Sequence, residues 1–325
     1  MEHKVNSKKS SSEPISELEY PQNPNAIKYL NELTLKQKQD FFDSFDVILS
    51  DCDGVIWHSL RGDLLPGTSE AIDYLKRQGK EVIYVTNNSI TPIDTQLKKF
   101  ERFGIEVKKH EIMHPAQTIC DYLKSIQFDG LIFCLTSEAF KSLLREAGFN
   151  VVEELVGYVE TLDDLLAVIN SDDPVKAVIT DADFNLTGSR LMRAHGYLRK
   201  NPDCLFIGGA AETIFTVGGN EILGAGTILS VLENTTQRKA LIFGKPGVAL
   251  RDFIMEKLKI KNARRCLFIG DSIVADIRFA KVCGFQSLLV LTGSTTPQDL
   301  QSKLTETDTP DYVSERLADL NGFLS

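Results

Sequence analysis

No stretch of this 325-residue chain approaches the roughly 20 consecutive apolar residues that span a bilayer. Positive charge is also scarce. Against 45 Asp+Glu there are only 36 Lys+Arg, a formal net charge of −9, which argues against partners such as nucleic acid or anionic membrane that clustered basic residues attract. Cysteine is sparse and scattered: Cys52, Cys120, Cys134, Cys204, Cys266 and Cys283 form no CxxC pair and no zinc-ligand spacing. Several lie in apolar runs such as Cys266-Leu-Phe-Ile, so buried reduced thiols and a cytoplasmic setting are expected. His58, His110, His114 and His195 likewise lack metal-ligand spacing, and His58 reads as a polar loop residue near the first acidic motif. The first 22 residues read as a polar tail without the apolar stretch of a signal peptide.

What is present is ordinary globular material, 42% apolar and 25% charged, long enough for one large or two medium domains. Leucine and isoleucine spacing between Pro24 and Phe42 predicts a leading helix or two. Five short apolar runs then read as buried parallel strands of one sheet, each ending at Gly or a polar residue. They are Phe45–Ser50 into Asp51, Glu81–Val85 into Thr86, Ala240–Phe243 into Gly244-Lys245, Cys266–Ile269 into Gly270-Asp271, and Ser287–Leu291 into Thr292-Gly293. Amphipathic helices over Ser69–Gln78, Val248–Leu258 and Ile273–Cys283 alternate with them, the pattern of a parallel α/β sheet covered on both faces. Ligands of such sheets bind beyond the carboxyl ends of the strands, so Asp51, Thr86, Lys245 and Asp271 are expected on one rim.

The stretch from Lys124 to Ala240 is too long for a single crossover and has its own strand and helix signals, among them Gly130–Leu135, Ser137–Ala147, Gly157-Tyr-Val, Leu162–Ile169, Ala177–Thr180 and Cys204–Ile207. It reads as a second α/β domain inserted into the first: a split core over 23–127 and 240–325, with an insert over 128–239.

The chemistry is carried by residues at the strand ends. Asp51-Cys-Asp53-Gly54 places two carboxylates side by side, which coexist only with a cation or a shared proton; by itself such a pair is equally a solvated turn. Thr86-Asn87-Asn88-Ser89 offers hydroxyl, amide and backbone donors suited to phosphate oxygens or to a helix cap. Lys245 is a point charge able to pair with both an aspartate and a phosphoryl group, or a surface lysine before a proline-started helix. Asp271 and Asp276 add two acids, one at a strand end and one little more than a helical turn beyond. Their joint order of carboxylates, hydroxyl, lysine and carboxylates says more than any member.

That ordered set resembles the haloacid dehalogenase superfamily. Asp-Cys-Asp-Gly-Val-Ile-Trp, Thr-Asn-Asn-Ser and Gly-Lys-Pro are similar to its large-cap branch of phosphoglycolate, p-nitrophenyl phosphate and pyridoxal phosphate phosphatases. The resemblance implies a Rossmann-like parallel core with an inserted α/β cap, and a Mg²⁺-dependent phosphatase of small phosphorylated metabolites that forms a homodimer through the cap. It implies Asp51 as nucleophile and Asp53 as acid and then base. It further implies Mg²⁺ on the Asp51 carboxylate, the Asp53 carbonyl and Asp271, with Asp276 in support. Thr86, Asn87, Asn88 and Lys245 would hold the phosphoryl group, and Asp183 would serve the substrate loop of the cap. The sequence departs from the branch at Ile90-Thr91-Pro92, Ser272, Val274, Asn185 and Gly208–Ala211, so substrate identity does not carry over. Rivals remain: a receiver-like module, which has no use for a large insert, a catalytically weak paralogue acting as a binding or scaffold protein, and a mutase or a protein phosphatase, though a cap over the site favours small substrates.

Overall fold

The computed structural model describes residues 27–59, 61–152, 159–170, 173–217 and 220–324. The polar tail, most of the Gly157-Tyr-Val run and the Gly218-Gly219 turn lie outside them. In chain order the strands are β1 (Lys28–Tyr29), β2 (Val47–Ser50), β3 (Glu81–Val85), β4 (Ile112–Met113), β5 (Leu131–Leu135), β6 (Asn150–Val151) and β7 (Val175–Thr180). They continue as β8 (Leu205–Gly208), β9 (Ile214–Val217), β10 (Asn220–Leu223), β11 (Leu241–Ile242), β12 (Cys266–Gly270), β13 (Gln286–Val290) and β14 (Tyr312–Ser314).

Two parallel sheets result. The larger has the order β1-β14-β13-β12-β2-β3-β4, the smaller β11-β8-β7-β5-β6, and β9 and β10 form an antiparallel hairpin. Side-chain alternation explains why each sheet is buried on both sides. In the larger sheet Ile48, Tyr84, Leu267 and Ile269 join one apolar cluster, while Leu49, Ile83, Val85 and Phe268 join the cluster on the opposite face. The smaller sheet repeats the pattern, with Ile132, Ala177 and Ile179 on one side and Phe133, Val178 and Phe206 on the other.

The chain leaves β2 toward β3 on one side and returns later to β12 on the other, so the strand order reverses between β2 and β12. The crevice that such a reversal opens is where α/β sheets bind ligands. Asp51 and Asp271 follow these two strands directly.

Three expectations need correction. The run beginning at Ala240 is not a strand of the core sheet: β11 pairs in parallel with β8 of the smaller sheet, Leu241 opposite Ile207. Hydrophobicity identifies a strand but not the sheet that takes it, and an edge beside β8 lay nearer along the chain. The leading segment begins not as a helix but as β1 and a 3₁₀ turn over Leu30–Glu32, followed by a helix over Leu35–Asp43. There the Thr34–Gln37 capping box fixes the start. The helix expected from Ile273 opens with a five-residue π-helical turn, Ile273–Ile277, before the α-helix Arg278–Cys283.

Candidate active site

The loop after β2 turns back at once. Amides of Val55, Ile56 and Trp57 converge on the Cys52 carbonyl, and the Gly54 N–H donates to the Trp57 carbonyl at 2.8 Å. Gly54 has φ +85°, and a Cβ there would lie 2.6 Å from Asp271 Cγ, so only glycine lets the two acidic loops meet. The π-helical turn after β12 directs Asp276 back onto its own strand end, where Oδ2 accepts from the Asp271 and Ser272 N–H groups at 3.1 and 3.0 Å.

Lys245 is the hub. Its Nζ lies 2.7 Å from Asp51 Oδ1 and 2.7 Å from Asp276 Oδ1, and its side chain is 2% exposed. Carboxylate oxygens of Asp51, Asp271 and Asp276 lie within 4.8 Å of one another. Burial pushes the Asp51 carboxyl well above its ordinary range, and the Asp276 and Asp271 charges add to this rise against the pull of Lys245. Burial works against charge on Lys245 too, but the Asp276 and Asp51 carboxylates outweigh it and hold its pKa above the usual lysine value. Three carboxylates facing one ammonium leave negative charge uncompensated in a dry place, a donor set of hard oxygens that fits a divalent cation. Asp276 spends its oxygens on Lys245 and two amides, so within this trio Asp51 and Asp271 keep more oxygen capacity for such an ion.

On the β3 side, Thr86 is buried, and its Oγ1 accepts from the Asn88 N–H at 3.0 Å. Asn88 Nδ2 points at Asp53 Oδ2 from 3.4 Å. Asn87 contributes differently from what its amide suggested. Its Oδ1 accepts from the Lys245 N–H at 2.7 Å, and its Nδ2 donates to the Lys245 carbonyl and to Glu212. The side chain therefore fixes Lys245 in place and ties it to Glu212, between β8 and β9. Its own backbone N–H has no backbone acceptor among the described residues.

Asp183 is not brought to this cluster. It forms an ion pair with Arg190 at 2.7 Å and accepts from the Asn185 N–H at 2.9 Å, which locks its own loop. Beside Glu212, the acid after β7 that reaches the Thr86–Ser89 loop is Asp181, 1% exposed, whose carboxyl faces Ser89 and sits so close to Gly209 that any Cβ there would collide with it. Two other groups escaped the sequence reading. The Ser294 N–H and hydroxyl both donate to Asp271 Oδ2, at 2.5 and 2.7 Å, and Thr292 Oγ1 donates to the Gly54 carbonyl at 2.5 Å. Their signal was the hydroxyl-rich Thr292-Gly-Ser-Thr-Thr run at the end of β13.

Burial pushes Asp181 up to about 7, against the hydrogen bond from the Ala182 N–H and the pull of the neighbouring Ser89, and with a further push from Glu212. The folded state thus prefers the protonated form. Stability from this group is complete below the ordinary value of 3.8, falls as pH rises toward about 7, and is level above that. Asp181→Asn is therefore expected to gain about 2–3 kcal/mol more over wild type at about pH 8 than at about pH 5, at about 1.4 kcal/mol per pH unit. Denaturant melts at the two pH values check this; an Asn variant destabilised equally at both would contradict it.

Comparison with known proteins agrees with this geometry. A family model described as haloacid dehalogenase-like hydrolase matches residues 48–150, and a HAD-hydrolase-like model matches 242–320. A 4-nitrophenylphosphatase of Schizosaccharomyces pombe is 32% identical over 294 residues, covering 88% of this chain and 96% of the relative. Phosphoglycolate phosphatase 2 of Arabidopsis thaliana is 31% identical, covering 87% and 94%. Among solved structures, 4-nitrophenylphosphatase of Thermotoga maritima superposes with a TM-score of 0.72 at 26% identity, covering 87% of this chain and 99% of that one.

Proposed function

Because the chain belongs to the haloacid dehalogenase-like hydrolases, we propose that it hydrolyses small phosphomonoesters by passing the phosphoryl group through Asp51. The observation that carries this reading is the Asp51–Lys245–Asp276 clamp at the strand reversal, with Asp271 beside it. In-line phosphoryl transfer needs positioning and charge neutralisation above all, and both are built in.

In the first step Asp51 Oδ2 bonds to phosphorus while the bond from phosphorus to the ester oxygen breaks. The bonding pair stays on that oxygen, which takes a proton from Asp53. In the second, water attacks phosphorus, Asp53 takes the water proton, the Asp51–phosphorus bond breaks and phosphate leaves. Lys245 neutralises charge on the transferring group, and the Thr86 hydroxyl and Asn87 N–H hold its oxygens. Mg²⁺, when bound by the carboxylates of Asp51 and Asp271 and the carbonyl of Asp53, would supply further neutralisation.

The relatives named for 4-nitrophenyl phosphate and phosphoglycolate support a small substrate. So does the inserted segment over 128–239, read as a cap on the core of 23–127 and 240–325, which reaches the site through Glu212 and Asp181. Exposed Phe184 and Met192 on that segment support a homodimer through it, which sedimentation showing only monomers would remove. Six free, buried cysteines suit the reducing cytoplasm, and recovery of a tagged chain outside it would overturn that placement.

The test is turnover of p-nitrophenyl phosphate and a panel of alkyl phosphomonoesters with and without Mg²⁺. Turnover that requires the metal is expected. No turnover on any of them, with the metal present, would favour the scaffold reading.

A further inference from the structure

The single tryptophan of the chain, Trp57, lies four residues beyond Asp53 and is 2% exposed. Its indole N–H donates to Asp53 Oδ1 at 2.8 Å. The backbone prepares this contact: Asp53 and Trp57 form an isolated bridge, and Trp57 bridges in turn to Leu64. Phe100 holds the ring edge-on, with centroids 4.9 Å apart. On the ring face sits Lys99, its Nζ 3.9 Å from the centroid and without an ion pair among the described residues. Asp53, Trp57, Thr86, Asn88 and Lys99 line one small cavity, so the stack borders Asp53 and the loop after β3.

We infer that Trp57, backed by Lys99, is a positioning residue for the proton transfer made by Asp53. This rests on the phosphatase reading above. An indole nitrogen only donates, so a proton carried by Asp53 cannot sit between Oδ1 and the ring. Oδ1 is thereby held as an acceptor, and Oδ2, whose contact with Asn88 Nδ2 is longer at 3.4 Å, is left freer to carry the proton on the Thr86 side of the loop. The other contact to Asp53, at 3.4 Å from Asn88, is too long to hold the carboxyl alone. A cation over the ring face draws density from the indole and strengthens its N–H as a donor. Lys99 therefore acts on Asp53 without touching it, through the Trp57 ring and by its charge across the cavity they share. The stack fixes the orientation in which the Asp53 carboxyl delivers its proton.

This role separates from a structural one by leaving group. An alkoxide must be protonated as it departs, whereas p-nitrophenolate leaves with little help. The readout is kcat/KM with Mg²⁺ present, because it covers steps up to leaving-group departure. Trp57→Phe is expected to lose about 30-fold on glycerol phosphate and under about 3-fold on p-nitrophenyl phosphate, part of the 10²–10⁴ that a positioned acid supplies. Lys99→Met is expected to lose a smaller factor with the same discrimination, and Lys99→Arg to restore it. Equal losses on both substrates, or none, in a Trp57→Phe protein that melts normally would overturn the inference. If that variant does not fold, Lys99→Met decides by the same comparison. Asp53→Asn separates the two readings: without discrimination there, the assignment of Asp53 fails; with it there but not in the Trp57 and Lys99 variants, only this inference fails.

Discussion

Asp51→Asn is expected to leave less than about one-thousandth of wild-type turnover on every substrate, in line with removal of a covalent nucleophile. The protein is expected to stay folded, and that combination makes the result informative. Asp51 sits with Asp271 and Asp276 around a single ammonium, and burial already disfavours its charge. A neutral amide of the same shape relieves repulsion within the trio. Asp276 still satisfies Lys245 at 2.7 Å. Thermal melting of the variant should therefore match or exceed that of wild type in metal-free buffer. Residual turnover above about one-tenth would remove Asp51 from the chemistry, since losses of that size are typical of supporting contacts.

Lys245→Met is expected to cost about 3–5 kcal/mol of stability, the typical penalty for removing one partner of a buried ion pair. Its side chain is 2% exposed and its partners Asp51 and Asp276 are 11% and 0% exposed, so solvent does little to soften the loss. Methionine fills the space of the lysine stem but leaves three carboxylates within 4.8 Å of one another with no cation. Added Mg²⁺ is expected to recover more stability in this variant than in wild type, because binding to the folded state alone stabilises by mass action. Denaturant melts with and without the metal measure both effects. A variant as stable as wild type without metal would show that the clamp is not an essential charge balance.

Much of this arrangement was legible before any coordinates. Strand ends are marked by the change from apolar runs to Asp, Thr or Gly, and a parallel sheet aligns its ends on one rim. Asp51, Thr86 and Asp271 therefore came together as the spacing implied. Lys245 also arrives at the rim, but by a different route: its preceding strand belongs to the smaller sheet, and Asn87 rather than strand pairing locks it in place. Which of two sheets adopts a short apolar run depends on edges that meet only in three dimensions. Asp181 was passed over for Asp183, two residues later in the same loop, because both are acids at the end of β7. Only packing shows that one faces Ser89 and the other Arg190. Ser294 was missed for a similar reason, since a hydroxyl acquires its role from the acid it happens to face. Trp57 is legible as a member of the first motif but not as a partner of Asp53, because its donor is directed by a turn closed through the Cys52 carbonyl.

The most direct measurement is rapid acid quench of wild type and Asp51→Asn during turnover of p-nitrophenyl phosphate with Mg²⁺, followed by peptide mass spectrometry. One phosphoryl group on the Asp51 side chain of wild type, and none anywhere in the variant, is the expected result. Phosphoryl on another residue, or continued turnover in the variant, would contradict transfer through Asp51.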